Sequence, residues 1–397
     1  APPRPGSDAA AVAGRWRGPV LPFTPSEAAR ADLVLDAVFG AGLARDLDDG
    51  VRAVLAAARR LVAVDVPSGL DGATGQPRPW APQAELTVTF FRRKPGHLLL
   101  PGRDLCGEVV LADIGLPGAV LTELPARCFA NGPALWRLPA PDAATHKHSR
   151  GHVTILGGAA MTGAAILAAD AARRAGAGLV TIGCSDPAAA TIYRVAQPGA
   201  LVAEAAEDAL LPALLADGRR RVWLLGPGLP PDQPTRLSVE RVLAAGRSLV
   251  ADAGALSAFQ GEAKGLTGAA ILTPHAGEFA ALFGPPGEDR MAAVRAAAAV
   301  TGAVVLLKGS DTIVAAPDGR AAINHNAPPW LATGGSGDVL AGIAAALLAQ
   351  GLPAWDAACA AAWLQGEAAR AAGPGLIAED LPAQLSGFLR PEIMTSS

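Results

Sequence analysis

Along this chain, short apolar runs keep ending in the same way, in a loop of glycine, proline and one or two polar side chains. Residues 61–66 run into Pro67-Ser68-Gly69, 153–156 into Gly157-Gly158, and 179–182 into Gly183. Residues 221–225 run into Gly226-Pro227-Gly228, 249–251 into Asp252-Ala253, 270–272 into Thr273-Pro274-His275, and 303–307 into Lys308-Gly309-Ser310-Asp311. Apolar runs without alternation are strands buried on both faces, as in parallel sheets. Helix-compatible segments separate most of them, so the chain is expected to form an open α/β sheet with helices on both faces. In such sheets ligands bind outside the carboxyl ends of the strands, which is where these loops fall. Structural noise would scatter glycines and polar residues along both strand ends.

One loop stands out. Thr333-Gly334-Gly335-Ser336-Gly337-Asp338 runs straight into Leu340, Ile343 and Leu347, which have the spacing of a helix's buried face. Its glycines let the backbone approach an anion closely, and a helix N-terminus adds favourable dipoles, so a phosphate-sized nest is expected. A carboxylate beside such a nest repels phosphate unless it serves as a base on the group being phosphorylated. Asp338 therefore has two readings at this point, catalytic base or simple helix cap.

At 397 residues the chain suggests two or three domains, and with 51% hydrophobic and 17% charged residues it reads as globular rather than disordered. A net charge of −3 gives no basic excess from which to argue a nucleic-acid or membrane surface. The longest uncharged apolar run, 339–355, is interrupted by Gln350, Gly351 and Pro353, which marks a buried helix and its exit turn. Cys106, Cys128, Cys184 and Cys359 lie far apart without metal-type or redox-type spacing, so free thiols in a reducing cytoplasm are expected.

In chain order, 1–30 reads as an irregular leader without a continuous apolar core. Residues 31–130 form a first α/β domain, with strand-like runs at 32–39, 61–66, 85–91 and 108–114 and a helix over about 49–60. Asp36, Gly40, Asp65 and Ser68 fall at its strand ends. The pattern then fades into proline-containing loops, and 131–397 forms the second domain. That domain opens on His146, His148 and His152, which lack acidic or cysteine partners and are read as basic loop groups facing a ligand or solvent rather than as zinc ligands.

Six motifs in a consistent order carry a resemblance. Gly163-Ala164-Ala165, Gly226-Pro227-Gly228-Leu229, Asp252-Ala253, Thr273-Pro274-His275-Ala276-Gly277-Glu278, Lys308-Gly309 and Thr333–Asp338 make residues 142–390 resemble the ribokinase-like NAD(P)H-hydrate dehydratase family. Asp36-Ala37-Val38-Phe39-Gly40-Ala41-Gly42-Leu43 and Asp65-Val66-Pro67-Ser68-Gly69-Leu70-Asp71 make 31–118 similar to the second half of the NAD(P)H-hydrate epimerase domain often fused ahead of it. The fold this implies is a ribokinase-like open sheet preceded by a partial Rossmann-like α/β domain.

The resemblance implies a repair reaction in which the hydroxyl of a hydrated nicotinamide ring is phosphorylated by ADP or ATP and phosphate then leaves. Asp338 would take the hydroxyl proton, with the Gly335 and Gly337 N–H groups on the phosphoryl group. Lys308, Gly309, Ser310, Asp311, Thr312 and Gly337 would hold the nucleotide, and Ala164, Gly226, Gly228, His275 and Asp338 the hydrated dinucleotide. Mg²⁺ is expected with the phosphates, and Glu278 is a candidate for supporting the site from behind. In the epimerase-like part, Gly40, Ala41, Gly42, Leu43, Ala44, Arg45, Asp46 and Asp65 match substrate contacts, and Asp36 and Ser68 match K⁺ ligands. The family's Asn-Asn-Gly-Gly-Asp phosphate loop has no counterpart here, so epimerase activity is expected to be impaired and an apolar edge exposed. Members of this fold often associate, so a homo-oligomer is expected. A sugar or hydroxymethylpyrimidine kinase is the alternative, since the same loop serves those enzymes.

Overall fold

The computed structural model describes residues 4–43, 45–124 and 126–389. The chain divides into two compact units: residues up to 72 with 76–97 and 101–114 form the first, and 73–75, 98–100 and the chain from 115 onward form the second.

The first unit holds a parallel sheet in the order β1 (Val34–Asp36), β2 (Leu61–Val64), β3 (Leu86–Phe90) and β4 (Glu108–Ala112). The helix Asp49–Ala56, capped by the Asp48 side chain, places Leu55 against Leu61 and Ala63 of β2 and against Ala84. The β1 edge carries exposed Leu33 and Leu35, the apolar edge expected there. The stretch 1–30, expected to be irregular, contains two short helices. In Asp8–Ala13 the Ser7 hydroxyl accepts the Ala10 N–H, and Pro25–Arg30 begins with proline at its first position, where no N–H is needed.

Among the described residues the second unit's sheet has ten strands: β5 (Cys128–Ala130), β6 (His152–Leu156), β7 (Leu179–Cys184), β8 (Leu201–Glu204), β9 (Val222–Leu225), β10 (Ser248–Ala251), β11 (Ile271–Leu272), β12 (Val304–Leu307), β13 (Ile313–Ala315) and β14 (Ala321–Ile323). Their order across the sheet is β5-β14-β13-β12-β11-β10-β9-β6-β7-β8, and only β12–β13 and β13–β14 pair antiparallel. The boundary expected at residue 130 moves to 115, because Cys128–Ala130 adds to Ala321–Ile323 at the edge of this sheet. Proline-rich flanks concealed so short a strand, and the three-residue β13 and β14 were concealed by the same brevity.

The helices Thr162–Arg174, Ser336–Ala349 and Ala354–Ala372 bury their alanine and leucine faces in one core, while Gln233–Ala244, Ala276–Phe283 and Arg290–Thr301 contribute to the other. The run from Val339 to Leu347 is buried throughout, as its composition predicts. Thr162–Arg174 crosses Ser336–Ala349 so closely that a Cβ on Gly342 would stand 2.3 Å from the Ala168 carbonyl oxygen. That crossing fixes the loop at the start of Ser336–Ala349 relative to Thr162–Arg174.

Candidate active site

The strand order reverses between β6 and β9, and a doubly wound sheet opens its ligand crevice at such a switch point. The loops at the carboxyl ends of both strands meet there. A Cβ on Gly158 would stand 1.9 Å from the Gly228 carbonyl oxygen, and one on Gly228, whose φ is +73°, would stand 3.4 Å from the Ala164 Cβ. A side chain at either glycine would clash with the backbone of the facing loop, so Ala164 and Gly228 lie side by side, with Gly226 two residues away in the same turn.

Next along the sheet come the loops after β10, β11 and β12. The Lys308 ammonium lies 2.7 Å from Asp252 Oδ1 and 3.8 Å from Glu278 Oε2. A Cβ on Gly337 would meet the same ammonium at 3.2 Å, which puts the cation beside the glycine loop. Burial by itself would depress the Lys308 pKa, but the carboxylates of Asp252, Glu278 and Asp338 more than offset it, and the group stays charged above its ordinary range.

The loop residue Gly335 caps Ser336–Ala349 in the left-handed conformation, φ +86°, and no side chain caps that helix. Asp338 is therefore not a cap. Its carboxyl is pushed up to about 6, first by burial, then by repulsion from Asp252 and Glu278, with the Lys308 charge partly compensating. A carboxyl poised there is mostly ionised at neutral pH and basic enough to accept a proton.

Beside the loop opens a cavity of about 280 Å³ whose lining includes Lys308, Gly309, Ser310, Thr312, Ser336 and Gly337 together with Pro328, Pro329 and Leu331. A lining that mixes a cation and loop N–H groups with apolar side chains suits a ligand that carries both phosphates and a ring. Thr312 Oγ1 donates to the Gly309 carbonyl at 2.8 Å and holds the turn. Gln365, which also lines the cavity, donates to the Ser336 carbonyl at 2.5 Å, and Asn324 lies alongside. Gln365 comes from the following helix and Asn324 from the end of β14, and no local pattern marked them.

Asp311 differs from expectation. Its carboxylate is buried in an ion pair with Arg290 and accepts the Leu100 N–H at 2.7 Å, and it does not line the cavity. It braces the turn that Lys308 begins. His275 is exposed and caps Ala276–Phe283: Nδ1 accepts the Gly277 and Glu278 N–H groups at 2.9 and 3.2 Å, while Glu278 accepts the His275 N–H at 2.8 Å. With Nδ1 engaged as an acceptor, Nε2 is the ring nitrogen left to donate, and it lies 3.6 Å from Glu278 Oε1.

In the first unit, Asp36 and Ser68 are fully buried and meet. Asp36 accepts the Ser68 N–H at 2.7 Å and the Ser68 hydroxyl at 2.6 Å, and the Phe39 carbonyl lies 3.3 Å from that hydroxyl. Three oxygens converge, a donor set suited to a hard monovalent cation. Asp65 holds a left-handed φ of 73° and accepts the Ala41 N–H at 2.9 Å and the Thr89 hydroxyl at 3.0 Å, with Lys94 ion-paired to it. Burial works against its ionisation, yet these partners hold its pKa below the usual range. Thr89, Lys94 and His97, which bonds the Asp65 carbonyl at 2.8 Å, went unmarked in the sequence because they belong to β3 and the turn after it rather than to the strand that carries Asp65. Gly40, Gly42, Leu43 and Arg45 line a shallow hollow with Val38 and Phe39, and Asp46 is exposed. Ala44 lies outside the described residues.

The second unit has a ribokinase-like fold. A ribokinase-like superfamily protein of Enterococcus faecalis shares the fold at a TM-score of 0.58 and 24% identity, over 66% of this chain and 96% of that one. The chain belongs to the NAD(P)H-hydrate dehydratase family, whose model matches residues 153–388, and a model of the YjeF-related protein N-terminus matches 7–96. The bifunctional NAD(P)H-hydrate repair enzyme of Moorella thermoacetica is 39% identical over 387 residues, 91% of this chain and 73% of the relative. The enzyme of that name from Mycobacterium tuberculosis is 38% identical over 342 residues, 84% of this chain and 68% of the relative. The ADP/ATP-dependent NAD(P)H-hydrate dehydratase of Bacillus subtilis, co-crystallised with ATP and Mg²⁺, aligns at a TM-score of 0.55 and 29% identity over 63% of this chain and 93% of that one.

Proposed function

We propose that this protein dehydrates the S form of hydrated NADH and NADPH, with ADP or ATP as phosphoryl donor, and works in the cytoplasm. The observation that carries the reading is Asp338: an uncapping carboxyl raised to about 6, beside the Gly335–Gly337 nest and the Lys308 ammonium. Asp338 takes the proton of the ring hydroxyl as that oxygen attacks the terminal phosphorus of the donor. The Gly335 and Gly337 N–H groups and the helix dipole hold the transferring group. Hydroxide leaves poorly and phosphate leaves well, so the phosphorylated carbon releases phosphate where the hydrate would not release hydroxide.

Lys308, Gly309, Ser310, Thr312 and Gly337 hold the nucleotide in this reading, and Ala164, Gly226, Gly228 and His275 the dinucleotide. Among the described residues no three acidic, histidine or cysteine side chains gather as a metal cage. Mg²⁺ would come with the nucleotide phosphates, and no step here runs through it. Asp36, Ser68 and the Phe39 carbonyl would hold K⁺ in the first unit. Repair-enzyme relatives that align over both units, and the dehydratase model over 153–388, separate this chain from the kinases that share its loop.

The test supplies separated S and R hydrates with ADP and ATP in turn and follows reduced-nicotinamide absorbance. Recovery from the S hydrate with release of phosphate is expected, and a stable phosphorylated product would overturn the reading. With these 397 residues, R hydrate is expected to be consumed no faster than it epimerises spontaneously, because the phosphate loop of the epimerase family is not among them. Consumption of R as fast as S would refute that.

A further inference from the structure

Dehydration of the hydrated ring releases two protons, one from the hydroxyl and one from the neighbouring carbon C5. Asp338 accounts for the first and then holds it. Asp252 has no role so far beyond its pairing with Lys308, and its surroundings are unusual. It stands before the short helix Ala253–Ser257, yet its side chain caps nothing. Oδ1 meets the Lys308 ammonium at 2.7 Å, whereas among the described residues nothing hydrogen-bonds Oδ2, although the side chain is only 2% exposed. Oδ2 lies 3.8 Å from the point where a Cβ on Gly337 would stand, so it faces the phosphate nest.

The backbone of Asp252 is wedged against the other half of the site. A Cβ on Gly226 would stand 1.6 Å from the Asp252 carbonyl oxygen, and one on Gly254 would stand 2.0 Å from the Leu229 carbonyl oxygen. Ala253 takes a left-handed φ of 43° to make this fit. Asp252 thus spans the gap between the dinucleotide turn Gly226–Gly228 and the nest that receives the phosphoryl group. Glu278, the other nearby carboxylate, is committed to the His275 N–H and faces Lys308.

We propose that Asp252 is a second catalytic base, whose Oδ2 removes the C5 proton after phosphate has left C6. The inference rests on the dehydratase reading. The steps balance as follows. The hydroxyl oxygen bonds to the terminal phosphorus of ADP, the bond from that phosphorus to its bridging oxygen breaks, AMP leaves, and Asp338 holds the hydroxyl proton. The C6–O bond then breaks as the N1 lone pair forms the N1=C6 bond, and phosphate departs with the electron pair. The C5–H bond is strongly acidified beside that iminium carbon, so an ion-paired carboxylate is basic enough to take the proton. The C–H electrons form C5=C6, and the N1=C6 pair returns to nitrogen.

Without a base for C5, the iminium ring is captured by water and returns to the hydrate, so nucleotide is consumed for nothing. The test measures AMP formed per NADH recovered from S hydrate and ADP. In the parent protein the ratio is one by stoichiometry. In D252N the ratio is expected to rise by about 10²-fold, the usual worth of a general base, while AMP formation persists. A ratio that stays at one overturns the inference, whether the rate falls, as it would if Asp252 only held Lys308, or is unchanged, as it would if departing phosphate took the proton. Should D252N fail to fold, D252E keeps the charge opposite Lys308 while displacing the base, and the same ratio decides. A parent protein that recovers no NADH overturns the dehydratase reading itself, so the two failures are distinguishable.

Discussion

The Asp338 carboxyl titrates near 6 because burial and the charges of Asp252 and Glu278 outweigh the nearby Lys308 ammonium. Its active form is the carboxylate, so kcat/KM should fall about tenfold per pH unit below that value, as a pH–rate profile would record. Because the folded pKa lies above the unfolded one, the native state holds this proton more tightly. The associated stabilisation is present below the unfolded value near 3.8 and is lost as pH rises through about 6. Asp338→Asn should therefore gain about 1–3 kcal/mol at pH 7.5 in thermal melts while losing turnover. Lys308→Met leaves Asp252 and Glu278 buried without their cation and should cost about 3–5 kcal/mol by denaturant unfolding, besides weakening nucleotide binding. The sequence marked Asp338 because a carboxylate after three glycines conflicts with a phosphate nest. It marked Asp311 on position in the loop alone, and there Arg290, 21 residues upstream, claims the side chain.

At the scale of elements, the helix Ser336–Ala349 was legible from its apolar run, but its angle to Thr162–Arg174 was not. Gly342 sets that angle, since a Cβ there would press on the Ala168 backbone. Gly342→Ala should cost about 1–3 kcal/mol, read as a lowered Tm, because backbone on both sides leaves no flexible side chain to move aside. The loop at the same helix's start depends on Gly335, whose left-handed backbone a side chain would strain. The strand-end loops were readable one by one. Their adjacency depends on the strand order, and the reversal between β6 and β9 has no trace in local composition.

Over the whole molecule, Leu98, Leu99 and Leu100 lie in sequence between β3 and β4 of the first unit but are part of the second. Leu99 is almost wholly buried among Leu98, Leu256, Phe279 and other residues of that core, and the Arg290 guanidinium donates to the Leu100 carbonyl at 3.2 Å. Leu99→Ala is expected to destabilise the second unit by about 2–5 kcal/mol, seen in the melting transition that adenine nucleotide shifts, whereas an effect absent from that transition would contradict the assignment. By itself, the sequence determined the α/β class, the strand-end loops and the pairing of a glycine nest with a carboxylate, because apolar runs, glycines and prolines act over a few residues. Tertiary structure alone decided that Asp338 caps nothing, that Asp311 is a brace, and that Asp252 faces the nest with one oxygen free. Those outcomes depend on burial and on charges that the chain brings together only when the sheet closes.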